Sequence, residues 1–148
     1  MKVEQNPCQI TFGYTTELSQ LWKKGKLPMV KKGFYGDILS KNPASPNFAT
    51  NEHIIPHSQG GPTKLRNIVL SSAKNNNGRG CEPLSTIFNK EIADEYFDQF
   101  KDVVVKYKKG NSKKVFDGNR YIQEAWETIK GLLKKEGRED LLHIDYKA

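Results

Sequence analysis

Cysteine is scarce in this chain, with only Cys8 and Cys81 among 148 residues. Two cysteines exclude a disulfide framework and a four-cysteine zinc site. Long apolar runs are missing too. No stretch approaches the roughly 20 apolar residues of a spanning helix, which excludes a membrane protein. Hydrophobic residues are few overall, 36% of the chain, and the mean hydropathy is −0.72. Two Trp, six Tyr and seven Phe still supply the bulk of a small core, so disorder throughout is not expected. The opening segment lacks the apolar run of a secretory signal, and a reducing, cytoplasmic setting is the expectation. Acid is the sparser charge: 24 Lys and Arg against 17 Asp and Glu leave a net +7. That excess favours a polyanionic partner. No repeat or low-complexity tract divides the chain, which has the length of a single domain, 1–148.

Local signals outline the elements. Thr16 caps a short helix over 16–24 that ends near Gly25. Residues 30–35 read as an extended piece closed by a Gly36-Asp37 turn. Residues 41–51, with two prolines, read as loop. A short apolar strand follows, His53-Ile54-Ile55, then a polar loop over 56–66 and a second strand, Ile68-Val69-Leu70. Ser71-Ser72 offers an N-cap for a helix entering through 73–77, which Gly78 and Gly80 would stop or bend. Phe88, Ile92, Tyr96 and Phe100 recur every four residues and predict an amphipathic helix over 87–100. Val103-Val104-Val105 reads as extended, and 106–114 as a basic connection around Gly110. A last helix, 119–135, buries Ile122, Ala125, Trp126, Ile129, Leu132 and Leu133. The fold class is α+β: a central ββα unit at about 50–80, an N-terminal extension over 1–49, and a helical C-terminal part over 84–148 that braces the centre.

Chemistry concentrates in Asn51-Glu52-His53-Ile54-Ile55-Pro56-His57-Ser58-Gln59-Gly60-Gly61, in Asn67-Ile68-Val69-Leu70, and in the tract from Lys74 to Gly80. Adjacent residues of a strand point to opposite sides, so Glu52 can hold a metal while His53 faces a water. A helix carrying amides returns toward the strands, and an amide oxygen is an acceptable ligand for a hard cation. Carboxylate, carbonyl oxygen and water suit Mg²⁺ or Mn²⁺ better than zinc. An imidazole with an ordinary pKa near 6.5 is matched to taking a proton from water near neutrality.

These residues resemble the HNH endonuclease family. Glu-His-Ile-Ile-Pro-His-Ser-Gln-Gly-Gly is similar to the family's opening acid-His-hydrophobe-hydrophobe-Pro with its Gly-Gly loop, Asn67-Ile68-Val69-Leu70 to its central Asn and second strand, and 74–80 to its third motif. Asn67 follows His53 by 14 positions and precedes Asn76 by 9, which also fits. The likeness covers roughly 50–80, and more weakly 33–83. It implies a ββα-metal site with one divalent ion, Mg²⁺ or Mn²⁺, that hydrolyses DNA to 5′-phosphate and 3′-hydroxyl ends. His53 would be the general base, Glu52 a metal ligand, Asn76 the second ligand, and Asn67 a structural residue pinning the loop and holding the His53 backbone. The chain departs from the pattern in using Glu52 where Asp is commoner. It also lacks the flanking cysteine pairs of many relatives, with Cys8 and Cys81 standing alone, so no structural zinc is expected.

Three consecutive Asn leave the register of the helix open. Spacing from Asn67 and the phase of Ala73 favour Asn76; Asn77 is the closest competitor, and Asn75 should face solvent. His57, in the loop, is a further candidate base or ligand, and Arg79 a candidate phosphate contact. The lysines form two groups, Lys23, Lys24, Lys26, Lys31 and Lys32, then Lys106, Lys108, Lys109, Lys113 and Lys114. Lys23, Lys24, Lys108, Lys109, Lys113 and Lys114 are expected to meet backbone phosphates, a contact that is sequence-independent and salt-sensitive. The rival to a DNA nuclease is a non-catalytic nucleic-acid-binding module of the same shape; an RNase or toxin nuclease is a third reading. One ββα site cuts one strand, so a double-strand break would need two chains, as in a homodimer, or two visits.

Overall fold

A computed structural model describes residues 17–143. Its regular elements follow the order α1 (Glu17–Lys23), β1 (Ala49–His53), β2 (Ile68–Ser72), α2 (Ala73–Arg79), α3 (Lys90–Asp98), β3 (Val104–Lys109), β4 (Ser112–Asp117) and α4 (Gly118–Lys135). Four helices and two antiparallel pairs, β1–β2 and β3–β4, make the fold α+β. Thr16 and Cys8 lie outside the described residues. Cys81 does not stand alone as expected; it is disulfide-bonded. Among the described residues no helix is long and apolar enough to cross a membrane.

The first pair runs in register from Ala49↔Ser72 to His53↔Ile68. β1 therefore starts within the stretch read as loop and ends where the expected apolar strand began. Its sequence, Ala-Thr-Asn-Glu-His, shows no apolar alternation because its polar side chains are buried by partners from elsewhere. Asn51 Oδ1, for example, accepts the Ser19 N–H in the first turn of α1 at 3.1 Å. β2 runs directly into α2 through Ser72, whose hydroxyl accepts the Asn75 N–H and caps the helix as expected. α2 continues through Gly78 and ends at Gly80, at φ +54°.

The extended piece over 30–35 is reduced to a single antiparallel bridge, Lys32↔Ile38, closed by the Gly36-Asp37 turn as expected, with the Gly33 N–H donating to the Asp37 carbonyl at 2.8 Å. Gly36, at φ +82°, tightens a turn that lets the Phe34 N–H donate to the Leu70 carbonyl at 2.8 Å. α3 is shorter than its apolar period suggested, because the Asn89 side chain caps it at the Ile92 N–H and leaves Phe88 outside. α4 matches its expected span, capped by Asp117, with Tyr121, Ala125, Ile129 and Leu133 fully buried. The basic connection over 106–114 is instead most of a hairpin, paired from Val104↔Asp117 to Lys109↔Ser112. The C-terminal part is thus not wholly helical.

β2 joins this C-terminal part to the first sheet. Its outer edge, the one not paired with β1, is met by side chains. Tyr96 Oη accepts the Leu70 N–H at 2.9 Å, Tyr121 Oη donates to the Ile68 carbonyl at 2.7 Å, and the two hydroxyls lie 2.9 Å apart. Asp37 Oδ2 accepts the Ser72 N–H at 2.6 Å. Both hydroxyls are buried, and burial raises their proton affinity, so they stay protonated and can serve as donors.

Candidate active site

Glu52 stands on β1 opposite Val69, with no exposed surface. Its Oε2 accepts the Tyr35 hydroxyl and lies 3.5 Å from Arg79 Nη1, while its Oε1 is buried with no hydrogen-bond partner. Burial pushes this carboxyl up to about 7, against the opposing pull of the Arg79 charge and the Tyr35 hydroxyl. Tyr35 is itself raised, by burial first and the Glu52 charge second.

The face of α2 turned toward β1 carries Asn76 and, three residues on, Arg79, both buried. The Asn76 Nδ2 donates to Thr50 Oγ1 at 3.1 Å and to the Asn51 carbonyl at 3.4 Å, while Asn76 Oδ1 is buried without a donor. Asn77 is exposed. Asn75 does not face solvent freely: its Nδ2 donates to Asp37 Oδ2 at 3.0 Å. Asp37 thereby grips both the end of β2 and the first turn of α2.

Arg79 is not a phosphate contact. It is 3% exposed, and its guanidinium donates to the carbonyls of His53 at 2.8 Å, Ile54 at 2.7 Å and Glu82 at 3.1 Å. Three backbone acceptors and a carboxylate take four of its five N–H donors, so no pair is left for a forked grip on a phosphate. The role of holding the His53 backbone, expected of Asn67, therefore belongs to Arg79. Asn67 pins the loop as expected: Oδ1 accepts the Ile55 N–H at 2.8 Å, and Nδ2 donates to the carbonyls of Ile55 at 3.1 Å and Pro62 at 3.0 Å. Within that loop a Cβ on Gly61 would come 1.8 Å from the Ile55 carbonyl oxygen, which no side chain can do.

His53 faces away from Glu52, toward Thr63, whose Oγ1 lies 2.9 Å from Nε2. The residue is wholly enclosed, and burial lowers its pKa to about 4, with the charges of His57 and Arg79 adding to the effect. The imidazole is neutral near neutral pH, but a weaker base than the ordinary value suggested. His57 is exposed, with its ring centroid 5.7 Å from that of His53. Lys23 is half-buried over the Phe48 ring at 4.0 Å, and Lys24, Lys108, Lys109, Lys113 and Lys114 are exposed.

Sequence reasoning missed Tyr35, Asp37 and Thr63. The first two flank the Gly36 turn, a signal read only as a chain reversal, and Thr63 carries no local signal. Among the described residues no three His, Cys, Asp or Glu side chains gather to hold a metal. The donor pair in question is one carboxylate and one amide. The chain matches no protein-family model, no curated protein and no solved structure.

Proposed function

We propose that the protein is a divalent-metal-dependent endonuclease of the HNH type that hydrolyses phosphodiester bonds in DNA, with β1, β2 and α2 as its ββα-metal unit. The observation that carries this reading is that Glu52 Oε1 and Asn76 Oδ1, on β1 and on the face of α2 turned toward it, are two of the three buried side-chain oxygens without a donor among the described residues, the third being Asp37 Oδ1. Leaving such an acceptor unsatisfied costs about 1–3 kcal/mol, and a cation is what two lone acceptors, with no donor facing them, would bind. A carboxylate and an amide oxygen, completed by water, fit Mg²⁺ or Mn²⁺. When bound, such an ion supplies Lewis-acid stabilisation of the charge that builds on the phosphate.

The chain's own residues do the rest. Arg79 and Tyr35 fix one oxygen of Glu52, leaving the other for the cation. Arg79 also fixes the backbone at His53, and Asn67 fixes the loop that follows it. His53, held neutral by burial, accepts the proton of the attacking water, help typically worth about 10² to 10⁴ in rate.

The enclosure of His53 favours a second reading, a binding module of the same shape that does not cleave. Supercoiled plasmid and RNA, each incubated with Mg²⁺, Mn²⁺ or chelator, separate the two. Metal-dependent plasmid relaxation that His53→Ala loses supports the nuclease. Plasmid shifted on a gel but intact in every metal assigns the module, and cleavage of RNA alone assigns an RNase.

A further inference from the structure

The two lysine groups, some eighty residues apart in sequence, meet in space. The tip of the β3–β4 hairpin folds toward the end of α1, and the two enclose a cavity of about 340 Å³. Gln20, Lys24 and Lys26 line one side, and Tyr107, Lys108 and Lys109 the other, with no acid among the described residues at the wall. Gly110, at φ +60°, occupies the first of the two turn positions, as a type II′ turn requires, so the hairpin stays tight up to this mouth.

Alternation along the hairpin sorts its side chains. Val105, Tyr107 and Phe116 turn inward, and Phe116 is fully buried. Val104, Lys106, Lys108, Lys113 and Val115 share the outer face, where the two valines are 63% and 60% exposed. Lys108 and Lys113 are direct cross-strand partners. Like charges placed so are destabilising. The only acid on that face, Asp117, is already engaged by the first N–H groups of α4. Three cations elsewhere stand beside an acid, Lys90 with Asp94, Arg120 with Glu124 and Arg138 with Asp140, while others among the described residues, Lys130 and Lys134 on α4 included, do not. Among the described residues Lys24, Lys26, Lys106, Lys108 and Lys113 have no such partner.

We propose that the outer face of the β3–β4 ribbon and the loop after α1 form one docking surface for duplex DNA. Lys108 on the hairpin side of the cleft, Lys24 and Lys26 on the other side, and Lys106 and Lys113 beside Lys108 on the outer face all take backbone phosphates. A two-stranded ribbon fits the B-form major groove, whereas the A-form groove of duplex RNA is too narrow to admit it. Single strands are held on several stacking aromatics, whereas this surface offers one, Tyr107 at the cleft wall, beside the exposed valines of the outer face. Lys23, committed to Phe48, is outside the surface. The proposal rests on the proposed function only in choosing a nucleic acid as the polyanion.

Binding of a fluorescein-labelled DNA duplex of arbitrary sequence, measured by anisotropy in chelator across a salt series, tests the surface without requiring cleavage. Lys24→Gln/Lys26→Gln and Lys108→Gln/Lys113→Gln should each flatten the slope of log affinity against log salt by about 2, roughly 0.9 for each lost phosphate contact. Lys130→Gln/Lys134→Gln on α4 should leave it unchanged. Because Lys108 and Lys113 repel each other, their double variant should melt no lower than the wild type. An unchanged slope in either pair overturns the proposal, as does an equal loss in the α4 pair. A fall in melting temperature alongside affinity assigns the lysines to the fold and overturns it too. Tighter binding of single-stranded DNA or of duplex RNA than of duplex DNA overturns the choice of partner.

Discussion

Glu52 and His53 are neighbours whose proton affinities burial moves in opposite directions, one up to about 7 and the other down to about 4. Between the ordinary values of 4.5 and 6.5 the unfolded chain carries an ionised carboxyl and a charged imidazole, while the folded chain holds both neutral. Folding therefore passes one proton between neighbours without changing net charge. For Glu52 the stabilising contribution is present below 4.5 and is lost as pH rises through about 7; for His53 it is present above 6.5 and is lost as pH falls through about 4. The two slopes oppose each other in the wild type. Glu52→Gln should uncover the imidazole alone, with stability falling by up to ~1.4 kcal/mol per pH unit as pH drops from 6.5 toward 4. Urea unfolding across that range checks it, and a variant as flat as the wild type would refute it. Under the proposed function the same carboxyl proton competes with the cation. Calorimetric titration with Mn²⁺ should show weaker binding as pH falls below about 7, and Glu52→Gln should lose both the binding and its pH dependence.

At the scale of elements, α2 is a seven-residue helix whose three asparagines do different work. Asn75→Ala frees Asp37 from one partner and should cost about 1 kcal/mol of stability, leaving the metal concentration for half-maximal cleavage unchanged. Asn76→Ala should raise that concentration and lower the maximal rate. A metal titration of both variants, beside their denaturant midpoints, separates the roles; equal metal dependence in the two would remove Asn76 from the ligand pair. The inward turn of Asn76 was legible in the sequence, because phase on a helix is fixed by spacing alone. So was the Ser72 cap. The same spacing also places Arg79 on the buried face, three residues from Asn76, yet an arginine is by default a surface cation and its direction was misjudged. The β3–β4 hairpin was written in the sequence as Val105 and Tyr107 alternating with Lys106 and Lys108, but the density of lysines masked that period of two. Tyr35, Asp37 and Thr63 could not be found locally. Each acts on a residue at least ten positions away, and only the packed chain brings them together.

At the scale of the whole molecule, the tyrosine hydroxyls on the outer edge of β2 do more than hold α3 and α4 in place. A two-stranded sheet has two open sides, and an open side is a template on which another chain can add a strand. Tyr96, Tyr121, Phe34 and Asp37 occupy the groups that such a strand would bind. Tyr96→Phe/Tyr121→Phe keeps the rings in the core but leaves the Leu70 N–H and the Ile68 carbonyl without partners. Light scattering should then report association that grows with protein concentration, whereas each single variant stays monodisperse. A double variant that unfolds at lower denaturant yet never associates would mean that the hydroxyls serve stability only. The helices that follow β2 are thus its guard against polymerisation, and a chain cut before α4 is expected to form fibres or aggregates.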